Sequence, residues 1–243
     1  MPFRLLCTLH LVRHGETTAN RKGIIQGHQD FDLSPDGVHQ AAATAIRFRG
    51  ETYWQAHSSD LTRASRTAEI ILQEHPDVSL SRTPLLREFA LGAQEGLPLG
   101  TTWQRALHIK AHLAGVSVDD YEDSFRESPA DVRRRSQHFL KNLIADAMRA
   151  EAAEGPADAA TGNGRTALIV SHGGLLNVMM LTEMDLEDAG IMSNCAVAVV
   201  DAYQEVGRPG VVRYVPRVLN DVSHFQAFEL PPAGYHVRHF ERH

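Results

Sequence analysis

Apolar positions in this chain follow two different periods that alternate along its length. Residues 5–12 (LLCTLHLV) form a nearly unbroken apolar run, the pattern of a strand covered on both faces. The run enters RHGETTAN, where Gly15 and three Thr/Asn positions suit a turn into a helix. Residues 32–50 read as a helix, with Ser34 as N-cap, Pro35 at the first helical position and Gly50 just past the end. Residues 53–57 are a short strand, and residues 61–74 place Leu61, Ala64, Ala68, Ile71 and Leu72 on one side of a helix. Residues 78–82 alternate as a third strand, and residues 101–113 and 129–153 read as helices. TALIV (166–170) is a buried strand followed by SHGG and another helix, and residues 196–203 and 211–218 are the last strands. Strands alternating with helices predict an α/β fold, three layers (α/β/α) around a mostly parallel central sheet.

Residues 1–230 are expected to fold as a single domain, with a short insertion at about 97–128 and a mobile loop at about 150–164, where AEAAEGPADAATGNG offers little to bury. Residues 231–243 form a C-terminal tail. Residues 1–12 read as the first strand rather than as a leader, because they feed directly into the strongest motif.

Charge narrows the partners. The 243 residues carry 24 Lys and Arg against 30 Asp and Glu, a net charge of −6, which argues against a general nucleic-acid binder. No apolar run approaches the roughly 20 residues that cross a bilayer, so no membrane partner is expected. Two cysteines, Cys7 and Cys195, cannot build a disulfide framework, which fits a reducing compartment, and a cytoplasmic location is expected. Nothing in the sequence sets the oligomeric state.

Three predicted strands are each followed at once by a polar cluster: Arg13-His14-Gly15-Glu16, then Ser58-Ser59-Asp60 with Arg63, then Ser171-His172-Gly173-Gly174. Ligands of open α/β sheets bind beyond the carboxyl ends of the strands, so these clusters should converge. Arg13 and Arg63 supply cationic forks matched to phosphate oxygens. Gly15, Gly173 and Gly174 let backbone amides at helix starts approach an anion. The implied guest is a phosphate. The chain has no H-E-x-x-H, no C-x-x-C, no G-x-x-x-x-G-K-[ST] and no G-x-S-x-G, so zinc, P-loop and nucleophile-elbow readings lose their support and no metal site is expected. Imidazole remains as nucleophile, held unprotonated by flanking Arg charges. The residues by themselves leave open whether His14 or His172 attacks.

Five ordered pieces then carry a resemblance: LVRHGET (11–17), Leu33-Ser34 with Gly37 and Gln40-Ala41, SSDLTR (58–63), Leu86-Arg87-Glu88 with Glu95-Gly96, and VSHG (170–173). ESPADVRRR (127–135) and LNDVSHF (219–225) extend it. The chain resembles the histidine phosphatase superfamily, in the branch of cofactor-dependent phosphoglycerate mutases and fructose-2,6-bisphosphatases. The resemblance implies a phosphoglycerate mutase-like fold, with His14 as phosphorylated nucleophile and Arg13, Arg63 and His172 clamping the phosphoryl oxygens. It implies that Glu88 protonates the leaving oxygen, and that Asn20, Gln26 and Gly27 line the phosphate pocket, with Gly173 beside it. Two Arg and one His against a phosphate of about two negative charges require no Mg²⁺, and no cofactor is expected.

The substrate implied is a small phosphate ester. Ile24-Ile25-Gln26-Gly27, SSDLTR and the late Ala/Gly-rich stretch are most similar to the fructose-2,6-bisphosphatase-like members. Phe89-Ala90-Leu91 stands where the mutases and those members carry basic residues and a Tyr. A second anionic group would fall to Arg21, Lys22, Arg87, Arg105, His108 or Lys110. The segment from Gly96 to Ser128 is short for a closing lid and lacks the mutase's basic cluster, which favours hydrolysis. The alternatives are a phosphoglycerate mutase, a phosphoprotein phosphatase, and a phosphate-binding module without turnover.

Overall fold

The two mostly apolar runs, 5–12 and 166–170, become the two central strands of one sheet. In the computed structural model, which describes residues 3–123, 125–155, 165–187, 190–208 and 210–228, β1 (Phe3–Arg13) and β4 (Thr166–Ser171) pair in parallel. The six strands run in the order β3 (Leu80–Thr83), β2 (Tyr53–Ser59), β4, β1, β5 (Val197–Glu205), β6 (Val212–Asp221). β2 pairs in parallel with both β4 and β3. β5 and β6 add an antiparallel edge. The sheet is therefore mixed and mostly parallel, as the alternation of strands and helices implies.

Helices cover both faces. α2 (Pro35–Phe48) and α3 (Thr62–Leu72) bury Phe48, Ala64, Ala68 and Ile71 against Val12, Leu168 and Val170. α5 (Pro129–Glu154) and α6 (Gly173–Glu183) bury Leu140, Leu143, Leu175 and Met179 against Leu9, Leu11 and Ile169 on the opposite face. Short α1 (Thr18–Arg21) follows β1, and α4 (Trp103–Ala114) lies within the expected insertion. Ser34 caps α2 through the Gly37 amide at 3.0 Å, an interaction whose loss costs about 1 kcal/mol.

Differences from the sequence reading are local. β3 starts at Leu80, because the Val78 amide closes a turn on the His75 carbonyl at 3.1 Å. The expected loop at 150–164 opens with helix: residues 150–154 are the last turn of α5, and residues 156–164 lie outside the described residues, as does the tail at 231–243. Among the described residues, no helix is long and apolar enough to cross a membrane.

The topology places the site. The helix after β1 packs on one face of the sheet and the helix after β4 packs on the other. Adjacent strands whose connections part in this way open a crevice at their carboxyl ends. All four parallel strands end at this edge, and the segments leaving them carry Glu88 (after β3), Arg63 (after β2), His172 (after β4) and Arg13-His14 (after β1).

Candidate functional site

His14 stands immediately past β1 and is 3% exposed. Its Nδ1 lies 2.7 Å from the Gly15 carbonyl oxygen. A carbonyl only accepts, so Nδ1 carries the proton and the lone pair is left on Nε2. Burial pushes the His14 pKa well below its usual value, and Arg63 and Arg13 push it further. The sequence reading assigns the neutrality to the flanking charges; the fold makes burial the larger cause. The Gly15 amide donates to Thr67 Oγ1 at 3.0 Å, and the Glu16 amide to Gln40 Oε1 at 2.8 Å, so the loop after His14 is pinned from α3 and α2.

His172, fully buried, faces His14 with ring centroids 5.1 Å apart. Neither of its ring nitrogens has a partner among the described residues. Its pKa too is lowered, by burial first and then by Arg63, His14 and Arg13. The two histidines therefore differ: one has its tautomer fixed by backbone, and the other keeps both nitrogens uncommitted.

Arg63 occupies the first turn of α3 and is 1% exposed. It donates through Nη1 to the Gln29 carbonyl at 2.9 Å and through Nη2 to the Gly27 carbonyl at 2.8 Å, while its Nε is buried without a partner. Burial lowers its pKa to about 10, which leaves it a cation at neutral pH. Asp30 caps this helix start, accepting from the Thr62 amide at 2.7 Å and the Thr62 hydroxyl at 2.6 Å. Arg13 is held by one bond, Nη1 to the Met192 carbonyl at 2.7 Å, and its Nε is likewise buried without a partner.

Glu88 reaches the same place from the far strand. Its Oε2 accepts from the Gly174 amide in the first turn of α6 at 3.0 Å, and its Oε1 from its neighbour Phe89 at 2.9 Å. A Cβ on Gly174 would come 2.5 Å from Glu88 Oε1, so a side chain there would expel the carboxyl group. Arg135 donates to the carbonyls of Leu85, Arg87 and Glu88 at 3.1, 2.5 and 2.8 Å and pairs with Glu127 at 2.8 Å, and Glu127 accepts from the Ala90 amide at 3.0 Å. The ESPADVRRR stretch thus braces the backbone that presents Glu88.

The three polar-pocket residues fall into one neighbourhood. The carboxamide oxygens of Asn20 and Gln26 both face the Thr17 hydroxyl, at 3.1 and 2.9 Å, so what each retains for an anion is its NH₂ group. Gly27 has φ +50°, and a Cβ there would meet Glu95 Oε1 at 2.1 Å. This turn aims the Gly27 carbonyl at Arg63. Gly173, the first residue of α6, borders Arg13 and Ile191.

The second-anion candidates are not assembled in this way. Arg21 pairs with Glu16 and Asp36, Arg87 forms a two-pronged pair with Asp60 at 2.7 Å, and Lys110 donates to the Glu95 carbonyl at 3.1 Å. His108 Nδ1 is bound to the Gln104 carbonyl of its own helix at 2.8 Å. Four of the six therefore already have local partners among the described residues. No partner is described for Lys22 or Arg105.

The roles of several contributors escaped the sequence. Asn194 donates to the His14 carbonyl at 2.9 Å and Ser171 Oγ to the Leu86 carbonyl at 2.7 Å. Glu95 accepts from the His28 and Leu91 amides, each at 2.9 Å. Glu95 was visible as part of a motif, but its role was not.

Residues 9–214 match the model of the histidine phosphatase superfamily (branch 1). This chain belongs to the histidine phosphatase superfamily. A zebrafish (Danio rerio) protein named fructose-2,6-bisphosphatase TIGAR B is 38% identical over 144 residues, covering 58% of this chain and 54% of the relative. The chain thus aligns with only about half the length of that relative. A 2,3-bisphosphoglycerate-dependent phosphoglycerate mutase from Xanthobacter autotrophicus is 30% identical over 195 residues, 76% of this chain and 84% of the relative. Among solved structures, a mycobacterial glucosyl-3-phosphoglycerate phosphatase with VO3 superimposes with a TM-score of 0.66 at 26% identity, covering 88% of this chain and 99% of that one. Membership of this histidine phosphatase family supports a phosphatase or mutase role.

Proposed function

We propose that this chain hydrolyses small phosphate monoesters through a phosphohistidine on His14. One observation carries the reading: Arg13 Nε, Arg63 Nε and both ring nitrogens of His172 are buried without partners around a histidine whose Nε2 holds a lone pair. Buried polar groups are nearly always paired, and a site that gathers unpaired cationic donors is completed by an anion. A phosphoryl group has the oxygens to do so.

In the first half-reaction, His14 Nε2 attacks phosphorus and forms the N–P bond as the P–O bond to the leaving alcohol breaks. Protonated Glu88 gives its proton to the leaving oxygen. Arg13, Arg63 and His172 bind the phosphoryl oxygens as charge shifts among them. In the second, water attacks phosphorus, the Glu88 carboxylate takes its proton, the N–P bond breaks, and inorganic phosphate and neutral His14 return. Asn20, Gln26, Gly27 and Gly173 line the phosphate pocket. The charge of the two arginines does the work that Mg²⁺ does in nucleotide enzymes, so we assign no metal.

Hydrolysis is favoured over mutase chemistry, and monophosphates over bisphosphates, because Arg21 and Arg87 are already paired with carboxylates. Fructose 2,6-bisphosphate is retained as a candidate because of the TIGAR-named relative. We read the chain as one domain working in the cytoplasm.

The test is phosphate release in EDTA from a panel holding monophosphate sugars and acids, fructose 2,6-bisphosphate, 2,3-bisphosphoglycerate, a phosphotyrosine peptide and an aryl phosphate, run beside His14→Ala. Release in EDTA that disappears in the variant supports the proposal. Phosphate binding without release from any ester would contradict it and favour a binding module.

A further inference from the structure

The residues that form the β1 side of the cradle are themselves held from behind by one short loop. Met192 takes the Arg13 guanidinium at 2.7 Å, Asn194 Nδ2 holds the His14 carbonyl at 2.9 Å, and the Cys195 amide donates to the Arg13 carbonyl at 2.9 Å. Residues 192–195 therefore fix both the fork of Arg13 and the backbone on which His14 stands.

This loop holds an uncommon conformation. Cys195 has φ +52°, a left-handed value that non-glycine residues seldom adopt and that persists only where the surroundings over-determine it. The surroundings come from the end of β6. The Ser193 amide donates to Asn220 Oδ1 at 2.7 Å. Asn220 also lies at φ +49°, a conformation that Asn tolerates better than most residues.

Directly after Asn220 the chain is anchored to α2. Asp221 pairs with Arg47 at 2.7 Å. His224 Nδ1 lies 3.1 Å from Arg47 Nη1; the guanidinium only donates, so Nδ1 accepts and Nε2 carries the proton. That proton goes to Thr44 Oγ1 at 3.2 Å, and the Thr44 hydroxyl donates in turn to the Gln40 carbonyl at 2.9 Å. Phe225, 7% exposed, packs with Ala41, Ala43 and Cys195.

We propose that Asn220 is a positioning residue for the phosphate cradle. Its carboxamide oxygen, anchored to α2 through Asp221, His224 and Phe225, sets the 192–195 loop, and the loop sets Arg13 and His14. The inference rests on the reading that Arg13 binds phosphoryl oxygens. Asn220 touches neither substrate nor reacting atoms, and its effect passes through backbone.

The experiment compares Asn220→Gly, which keeps the left-handed backbone and deletes the acceptor, with Asn220→Asp, which keeps both. The readouts are the Kd of inorganic phosphate by calorimetry and the melting temperature of each variant. Losing one hydrogen bond's worth of positioning predicts a Kd weakened about 3- to 10-fold in Asn220→Gly, with Asn220→Asp within about twofold of the parent on the same scale. A role confined to stability would lower the melting temperature and leave the Kd of folded protein unchanged. An unchanged Kd in Asn220→Gly, or equal weakening in both variants, would overturn the proposal. Should Asn220→Gly fail to fold, Asn220→Ser, with its shorter side chain, gives the same reading. Phosphate binding needs no turnover, so this result is independent of whether His14→Ala abolishes hydrolysis.

Discussion

The cradle beyond β1, β2 and β4 and the rim around it both hold arginines, yet the protein treats them in opposite ways. In the cradle, Arg63 and its neighbours His14 and His172 are buried, and Arg63 Nε and both ring nitrogens of His172 have no partner among the described residues. At the rim, Arg21 and Arg87 are partly exposed, and each is matched by carboxylates, Glu16 and Asp36 for one and Asp60 for the other. Arg63 is buried with one nitrogen unpaired, while Glu88, Asp30 and Glu95 lie close enough to favour its charge, so an incoming anion finds a cation already held in place. A paired, partly exposed cation contributes little and attracts little. Counting basic residues near a site therefore misleads; whether each already has a carboxylate partner separates the rim from the cradle.

Variants can break this contrast. The largest effect after the nucleophile itself belongs to Glu88. Glu88→Gln keeps an acceptor for the Gly174 amide and removes the acid, so alkyl phosphate hydrolysis should fall by about 10²- to 10⁴-fold. Aryl phosphates, whose leaving oxygen needs no proton, should lose far less. Equal losses for both ester classes, measured as kcat/KM, would show that Glu88 does not protonate the leaving group. Next comes Arg63→Met, which fills similar volume without donors and should cost about 10²- to 10³-fold in kcat. A milder loss would mean that its bonds to the Gln29 and Gly27 carbonyls, rather than phosphate, are its purpose.

At the rim the expectation reverses. Arg87→Ala should shift the KM of a monophosphate by less than about threefold and stability by no more than about 1 kcal/mol. A bisphosphate substrate whose KM rises more than about tenfold in the same variant would turn Arg87 into a second-phosphate ligand and end the contrast.

A last effect, on stability rather than on activity, is pH dependence. His14 and His172 lie well below the usual histidine value and His10 lies at about 4, each chiefly through burial. The unfolded chain takes up protons near pH 6.5 that these folded histidines refuse, so their stabilisation is complete above about pH 6.5. It is lost as the pH falls from there towards their folded values, by up to about 1.4 kcal/mol per unit for each such group. Urea denaturation between pH 7.5 and 5 should show this fall, and saturating phosphate should flatten it, because a dianion beside His172 favours its protonated form. A stability that stays level over this range would contradict the assigned burial effects.

Much of the cradle was legible because its parts are local in sequence. RHG and SHGG each follow a strand directly, and a strand end in a parallel sheet has a known destination. Ser34 and Pro35 marked the start of α2 for the same reason, since capping is read within four residues. What stayed hidden acts across long separations and through backbone. Asn194 reaches a carbonyl 180 residues away and Arg135 one 47 residues away, and a backbone carbonyl leaves no mark on side-chain pattern. The pairing of Arg87 with Asp60 was equally invisible: the two residues belong to separate motifs, and only the packing of β2 beside β3 brings them together. The residues by themselves left His14 and His172 open as nucleophile and the resemblance implied His14; the carbonyl at its Nδ1, which leaves the lone pair on Nε2, is the part no sequence pattern could display.

The central claim is the identity of the atom that takes the phosphoryl group. The protein would be mixed with an aryl phosphate, quenched in alkali, where phosphohistidine survives, and digested for mass spectrometry. We expect one phosphoryl group on the peptide that contains His14, attached at Nε2 and absent from His14→Ala. A label on His172, or turnover with no labelled histidine at all, would contradict it.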